Sequence, residues 1–123
     1  MDGQDAVRGE QAAAEPAAVF RLGVMGPFSG PNALVGSEMR GAVEMAFERA
    51  NYRVGAYQIE LVWIDSASDP EKAAQAYEAA IVEKGIQAGL LNWHTPVALA
   101  CMELAADYCI PHLFGLGGGS GVN

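Results

Sequence analysis

The chain has 123 residues, 51% of them hydrophobic, and a formal net charge of −8. This composition excludes a wholly disordered chain and predicts the packed core of one small domain, or of part of one. The negative charge argues against nucleic acid and against anionic lipid as partners.

The chain opens with residues 1–18, which are rich in Ala, Glu and Gln and are expected to form a flexible tail. No signal peptide is visible there, because an apolar central segment is missing. A signal removed before Met1 was added would leave the same sequence, so the compartment stays open. No apolar run reaches the roughly 18 residues of a membrane span.

The first strand is predicted at Val19–Met25, and a loop of turn-forming residues, 26–32, follows it. A helix is expected to begin near residues 36–37, because apolar residues then recur at the spacing of one buried helical face. Arg40 and Glu44 lie four residues apart on the opposite face and are predicted to form a solvated pair. The predicted buried face comprises Met39, Ala42, Val43, Ala46, Phe47 and Ala50.

Tyr57–Asp65 is predicted as the second strand, after a turn around Gly55. Apolar residues alternate along one face, while Gln58 and Glu60 lie on the other, which places this strand near a sheet edge.

The second helix has two competing N-caps. Ser68 and Glu71 have capping-box spacing, whereas Asp69 stands directly before Pro70, a residue suited to the first helical turn. Gly85 is expected to end this helix. Its predicted buried face comprises Ala73, Ala74, Tyr77, Ala80 and Ile81.

The last predicted elements are a strand at Ile86–Leu91, a helix at Pro96–Tyr108 and a short strand at Pro111–Phe114. Thr95 is expected to cap this third helix, because Pro96 fits the first helical position. Residues 115–123 are predicted to form a Gly-rich loop or a truncated crossover.

Strands that alternate with helices predict an α/β fold, a parallel open sheet with helices on both faces and strand order 2-1-3-4. In such sheets a ligand binds beyond the carboxyl ends of the strands, where the strand order reverses. The loops at that point are 26–36 and 92–95, with 115–119 beside them. The free amides and positive dipole end of the third helix would accept a carboxylate or phosphate there. The alternative is that Thr95 only caps its helix.

We predict no enzyme, cofactor or metal site. Asp65 ends a strand at the ligand edge without a paired base or nucleophile. His112 lies in an apolar strand, where we expect a satisfied core residue, and it has no second ligand at metal spacing. The glycine run 115–121 lacks the spacing and the following helix of a dinucleotide loop. Cys101 and Cys109 are eight residues apart on one predicted helix, too far to bridge, and are expected to be free and buried.

Segments spread along the chain together resemble the type I periplasmic solute-binding proteins, in particular the leucine/isoleucine/valine-binding branch that serves ABC transporters. The resemblance covers about Phe20 to Gly118 and implies two α/β lobes that close on a solute. Residues 19–114 would be part of the first lobe only. The segments that carry the resemblance are Leu22-Gly23-Val24, Gly26–Pro31, Gly36, Gly41-Ala42, Asp65, Asp69-Pro70, Ala73-Ala74, Thr95–Ala100 and Ile110-Pro111.

The resemblance implies that Thr95 binds a ligand carboxylate, and that the loop after the fourth strand contacts an amino group. The chain departs from the family at Gly118, which lacks a hydroxyl, and at Val35, where an aromatic residue is usual. Ser68 and His94 stand where relatives carry a disulfide. These departures weaken the case for an α-amino acid. The predicted solute-binding residues are Ser29, Trp93, His94, Thr95, Leu116, Gly117 and Gly118.

Two of these residues have a plainer interpretation. Trp93 could stack on a solute, although a Trp at the end of a strand more often packs against the next helix. His94 could bind a solute, although a solvated loop histidine is the alternative.

The predicted function is the extracytoplasmic solute-binding component of an ABC-type transporter, here an N-terminal fragment. The solute would be small, polar and organic: an amino acid, an amide, urea or a related acid. Its other partners would be a membrane permease and ATPase, and its location periplasmic or extracellular. The alternatives are a ligand-sensing domain with the same fold and a flavodoxin- or Rossmann-like enzyme. Because no helix follows the fourth strand, uncovered apolar surface predicts self-association.

Overall fold

The computed structural model describes residues 18–115, so the predictions for Leu116, Gly117, Gly118 and residues 1–17 lie outside the described residues. The described elements are β1 (Ala18–Gly26), α1 (Ala33–Arg49), β2 (Arg53–Val54), β3 (Tyr57–Asp65), α2 (Pro70–Val82), β4 (Ala88–Leu90), α3 (Thr95–Asp107) and β5 (His112–Leu113).

One sheet joins these strands in the order β2-β3-β1-β4-β5. β1 lies parallel to both β3 and β4, and β4 lies parallel to β5. The predicted order of the four main strands is therefore confirmed. The short strand β2 was not predicted: it pairs antiparallel with β3 through a tight turn at Gly55, whose φ is +58°.

The core lies between the sheet and the helices α2 and α3. Met25 and Ile64 face it from neighbouring strands, and Tyr77 of α2 is fully buried among them. Each fully buried large apolar side chain contributes about 1.5–3 kcal/mol to folding. The buried members of this core are Met25, Val62, Ile64, Ala73, Tyr77, Ala80, Ile86, Val97, Cys101 and Ala105.

Helix α1 covers the other face of the sheet, which confirms helices on both faces. Its first residue is Ala33, earlier than predicted, and Gly36 is its buried residue because that position lies against the backbone of Pro27. The predicted buried face of α1 is only half covered: Ala42 and Ala46 are exposed and Phe47 is half-buried. Apolar surface therefore remains open to solvent on this side.

Several local predictions are decided by side-chain contacts. Asp69, not Ser68, caps α2, because its carboxylate accepts hydrogen bonds from the first-turn amides of Glu71 and Lys72. Cys101 is buried as predicted, but Cys109 is exposed, because it follows the end of α3 with a φ of +54°.

Among residues 18–115, no helix is long and apolar enough to cross a membrane.

Candidate functional site

The sheet reverses its direction of winding between β1 and β4. From β1 the chain crosses to β3 on one side, and from β4 it crosses to β5 on the other. Because β1 and β4 are parallel neighbours, the loops after them, 27–32 and 91–94, leave the same edge of the sheet. This is the place where open α/β sheets bind ligands.

Asp65, the last residue of β3, fixes the loop after β1. Its Oδ1 accepts hydrogen bonds from the amides of Phe28 (2.9 Å), Ser29 (3.1 Å) and Ala67 (2.9 Å). Its Oδ2 accepts one from the Ser29 hydroxyl at 2.5 Å. Ser29 is exposed, but its hydroxyl proton is engaged, so toward a solute its oxygen would act as an acceptor.

The electrostatics of Asp65 agree with this role. Burial alone would raise its pKa, but hydrogen bonds from the Ser29 hydroxyl and from the amides of Ala67, Ser29 and Phe28 outweigh that effect. The pKa of Asp65 is therefore lowered below its ordinary value, and the carboxylate is ionised at neutral pH. A carboxylate with four donors is a structural anchor for the loops after β1 and β3.

A stack of side chains supports the same loop from the side of α1. The ring of Phe28 meets the ring of Trp63 edge to face, with centroids 5.4 Å apart. The guanidinium of Arg40 lies 4.6 Å from the Trp63 centroid and also pairs with Glu44 at 3.1 Å. The predicted Arg40–Glu44 pair is thus confirmed, and the cation–π contact is an addition that helical spacing could not reveal.

The loop after β4 carries two buried polar atoms that have no hydrogen-bond partner among the described residues. Asn92 is fully buried, and its amide nitrogen donates to the carbonyl of His94 at 2.9 Å. The atoms without a partner are Oδ1 of Asn92 and Nδ1 of His94. Unsatisfied buried groups cost about 1–3 kcal/mol each, so their concentration in one loop marks it as a candidate contact region.

Helix α3 begins at Thr95, and its N-cap residue is His94, whose carbonyl accepts from the amide of Ala98 at 3.0 Å. The prediction that Thr95 is the N-cap is therefore wrong by one residue, because Pro96 is tolerated at the second helical position as well as at the first. His94 makes no side-chain capping bond, and the first turn contains no acidic residue. By contrast, Asp69 occupies the first-turn amides of α2.

The described residues bring most of the predicted site to one edge. Trp93, His94 and Thr95 are half-buried at the start of α3, and Ser29 lies on the loop after the adjacent strand. The rings of Trp93 and His94 contact each other edge to face, with centroids 5.8 Å apart. The roles of these residues in solute binding stay predictions.

Sequence reasoning missed Asn92 as a member of this site. Its signal was its place directly after the apolar run of β4, where a buried polar residue is unusual. The other expectation nearby, that His112 is a satisfied core residue, is confirmed for its hydrogen bonds, since both of its ring nitrogens have partners, but the residue is half-buried and lies outside the core cluster. Among residues 18–115, no group of three or more His, Cys, Asp or Glu side chains could hold a metal ion.

The sequence model of a family described as "Periplasmic binding protein" matches residues 19–122. The chain is 30% identical over 101 residues to "Leu/Ile/Val-binding protein homolog 6" of Brucella abortus; the match covers 81% of this chain and 26% of that protein. The chain thus spans about a quarter of the length of this relative.

Two solved structures show the same fold. One is a solute binding protein of an ABC transporter from Rhodopseudomonas palustris BisB5 in complex with 3,4-dihydroxy benzoic acid, at a TM-score of 0.80 and 24% identity, covering 85% of this chain and 29% of that one. The other is the branched-chain amino acid transporter substrate binding protein LivJ from Streptococcus pneumoniae in complex with isoleucine. Its TM-score is 0.77 at 19% identity, and the match covers 85% of this chain and 30% of that one.

Proposed function

Because the chain belongs to the periplasmic binding protein family, we propose that it forms part of the first lobe of a solute-binding protein of an ABC-type transporter. In this role it captures a small organic solute at the cleft edge of the sheet and carries out no chemistry on it. A second lobe would close over the solute by hinge motion. The membrane permease and ATPase of the transporter would be its partners, and the periplasm or cell exterior its location.

One observation carries the proposal: the start of α3 lies at the winding reversal of the sheet and receives no capping side chain from its N-cap residue. A helix N-terminus presents backbone N–H groups and the positive end of the helix dipole, which together favour an anion. The hydroxyl of Thr95 would add a hydrogen bond. The loop of Ser29, anchored by Asp65, would form the opposite wall.

We propose that the solute carries a carboxylate. The two relatives of known structure named above hold 3,4-dihydroxybenzoic acid and isoleucine, and both compounds have this group. The rest of the solute would face Trp93, whose half-buried indole offers an apolar wall.

Titration calorimetry of the protein with 3,4-dihydroxybenzoate and isoleucine, each beside its carboxamide, tests this proposal. We expect at least one acid to bind and its amide to bind far more weakly. Thr95→Ala should weaken binding of the acid by about 1.5–3 kcal/mol, the range for a hydrogen bond to a charged group. Thr95→Ser keeps the hydroxyl and is the matched control.

The outcomes are distinct. Equal affinity for acid and amide would contradict the carboxylate, and a loss in Thr95→Ala below a few tenths of a kcal/mol would contradict the anchoring role of Thr95. Failure of every acid to bind would contradict the proposed solute class.

A further inference from the structure

His112 of β5 connects three elements through its two ring nitrogens. Its Nε2 lies 2.8 Å from the carbonyl oxygen of Leu91, and its Nδ1 lies 2.9 Å from the hydroxyl of Tyr77 on α2. Because a carbonyl oxygen only accepts, Nε2 carries the proton and donates it to Leu91. In the neutral ring Nδ1 is then an acceptor, and the Tyr77 hydroxyl donates to it.

The ring of His112 is also held by packing. Its partner in the β4–β5 ladder is Gly89, and a Cβ at that position would overlap Nδ1 and stand 2.6 Å from Cε1 of the imidazole. Phe114 stacks on the ring with centroids 4.0 Å apart and an angle of 21° between planes. Gly89 lies against one side of the imidazole and the Phe114 ring against another. The ring of His112 is therefore confined to a single orientation.

Leu91, the residue that His112 holds, has an unusual backbone. Its φ is +68°, in the left-handed region that a leucine rarely adopts. Both of its backbone polar groups are engaged by β5: its amide donates to Leu113 at 2.9 Å, and its carbonyl accepts from His112. This turn ends β4 and directs the chain into Asn92, Trp93 and His94.

We propose that His112 is a positioning residue of the solute site: its neutral ring holds Leu91 in the left-handed conformation and so sets where residues 92–95 lie. What these residues bind rests on the proposed function, whereas the shape of the loop does not. Loss of the bond from His112 would release Leu91 toward ordinary φ values and would shift the start of α3.

The same geometry makes the loop sensitive to acid. A proton on Nδ1 would force the Tyr77 hydroxyl to turn from donor to acceptor and would place a positive charge on a buried ring. Burial lowers the pKa of His112, with the bond to Leu91 opposing that shift, so acid favours an opened loop in which the ring is hydrated. The titratable groups that face the ring are Tyr77 of α2 and, beside Tyr77, Cys101 of α3. Burial raises the pKa of each to about 12, so both stay neutral while His112 titrates.

Two substitutions distinguish the effect of the hydrogen bond from His112 to Leu91 from the effect of protonating the imidazole. His112→Gln keeps an N–H donor that can reach Leu91 but does not titrate, whereas His112→Leu keeps only the volume. Hydrogen–deuterium exchange of the segment 91–95, measured without solute and corrected for intrinsic rates, reports the loop. The segment 27–32 is the internal control, because Asp65 holds it instead of His112.

We expect His112→Leu to speed exchange of residues 91–95 about tenfold, the factor of one lost hydrogen bond, and to leave 27–32 unchanged. The exchange rate of the wild-type loop should rise as pH falls from about 7 to 5. In His112→Gln, the exchange rate of residues 91–95 should stay low and should not change with pH across this range. If His112→Leu does not fold, Tyr77→Phe takes its place: it keeps the donor to Leu91 and should weaken the pH dependence.

Three results would overturn the proposal: unchanged exchange in His112→Leu, a loop in His112→Gln as loose as in His112→Leu, or a pH profile shared by wild type and His112→Gln. Titration of the same variants with 3,4-dihydroxybenzoate and isoleucine separates the two proposals. If neither acid binds the wild type while exchange follows the expected pattern, the proposed function fails and the role of His112 stands. If an acid binds all variants equally, the role of His112 fails alone.

Discussion

Asp65→Asn tests whether the cleft edge depends on one carboxylate. In the wild type, Asp65 accepts from three backbone amides and from the hydroxyl of Ser29, and its pKa lies below the ordinary value. Asparagine has nearly the same shape but no charge. It can still accept through its amide oxygen, so the substitution removes the charge assistance and leaves most of the contacts.

The expected magnitude follows from these four bonds. A hydrogen bond to a charged group contributes about 1.5–3 kcal/mol to stability, and one between neutral groups contributes about 0.5–1.5 kcal/mol. Replacing a bond to the carboxylate by a bond to the neutral amide therefore costs about 1 kcal/mol. Three bonds to Oδ1 would become neutral, and the bond from the Ser29 hydroxyl to Oδ2 would be lost or reversed, because the new amide nitrogen only donates. Together these changes would cost about 4 kcal/mol if they were additive, but Ser29 is exposed and water replaces part of the loss. We therefore expect the free energy of unfolding to fall by about 2 kcal/mol.

Urea denaturation followed by tryptophan fluorescence measures this loss. The matched control is Glu60→Gln on the same strand, whose exposed carboxylate lies 3.8 Å from Arg21 and should change stability by less than about 0.5 kcal/mol. Because the folded pKa of Asp65 is depressed, its contribution is full above the ordinary pKa of 3.8 and is lost as pH falls through the folded value. Equal losses in Asp65→Asn and Glu60→Gln at pH 7, or a difference between them that does not shrink in acid, would refute the reasoning.

Three further predictions concern the scaffold. Gly36→Ala should lower stability by about 3 kcal/mol, because the new Cβ would overlap the carbonyl of Pro27, whereas Gly41→Ala on the open side of the same helix should raise it by about 0.5–1 kcal/mol; similar values for both in urea denaturation would contradict the close approach. Asp69→Ala should cost about 1 kcal/mol through loss of the α2 cap, measured by thermal denaturation, and an unchanged midpoint would oppose that role. The 123-residue chain should self-associate at micromolar concentration in light scattering, and Leu113→Lys on the edge strand β5, where Leu113 is 71% exposed, should lower the average mass; a monomeric wild type would exclude this.

The sequence predicted elements well where the pattern was long and bounded. β3 has the predicted ends, Tyr57 and Asp65, because apolar alternation starts after the turn at Gly55 and stops at a loop. β2 escaped prediction because a strand of two residues has no periodicity to detect. The cap at Thr95 was displaced by one residue, because proline is compatible with either of the first two helical positions.

The contacts that shape the candidate site lay beyond local patterns. Asp65 binds Ser29 across 36 positions, and His112 holds Leu91 across 21. Pairings at such separations depend on strand register, which periodicity does not specify. The left-handed conformation of Leu91 had no sequence signal either, since glycine and asparagine are the residues that mark it. The sequence therefore located the candidate binding edge, but not the hydrogen bonds that build it.

The most direct test of the central claim is a nitrogen–proton NMR titration of the protein with 3,4-dihydroxybenzoate and isoleucine. The account predicts that the acid that binds shifts the amides of residues 92–95 and 97–98 together with those of the Ser29 loop. Amides at the opposite end of the sheet, such as Tyr57 and Gln87, should stay in place. Shifts confined to that opposite end, or shifts in residues 92–98 that an acid and its carboxamide produce equally, would contradict it.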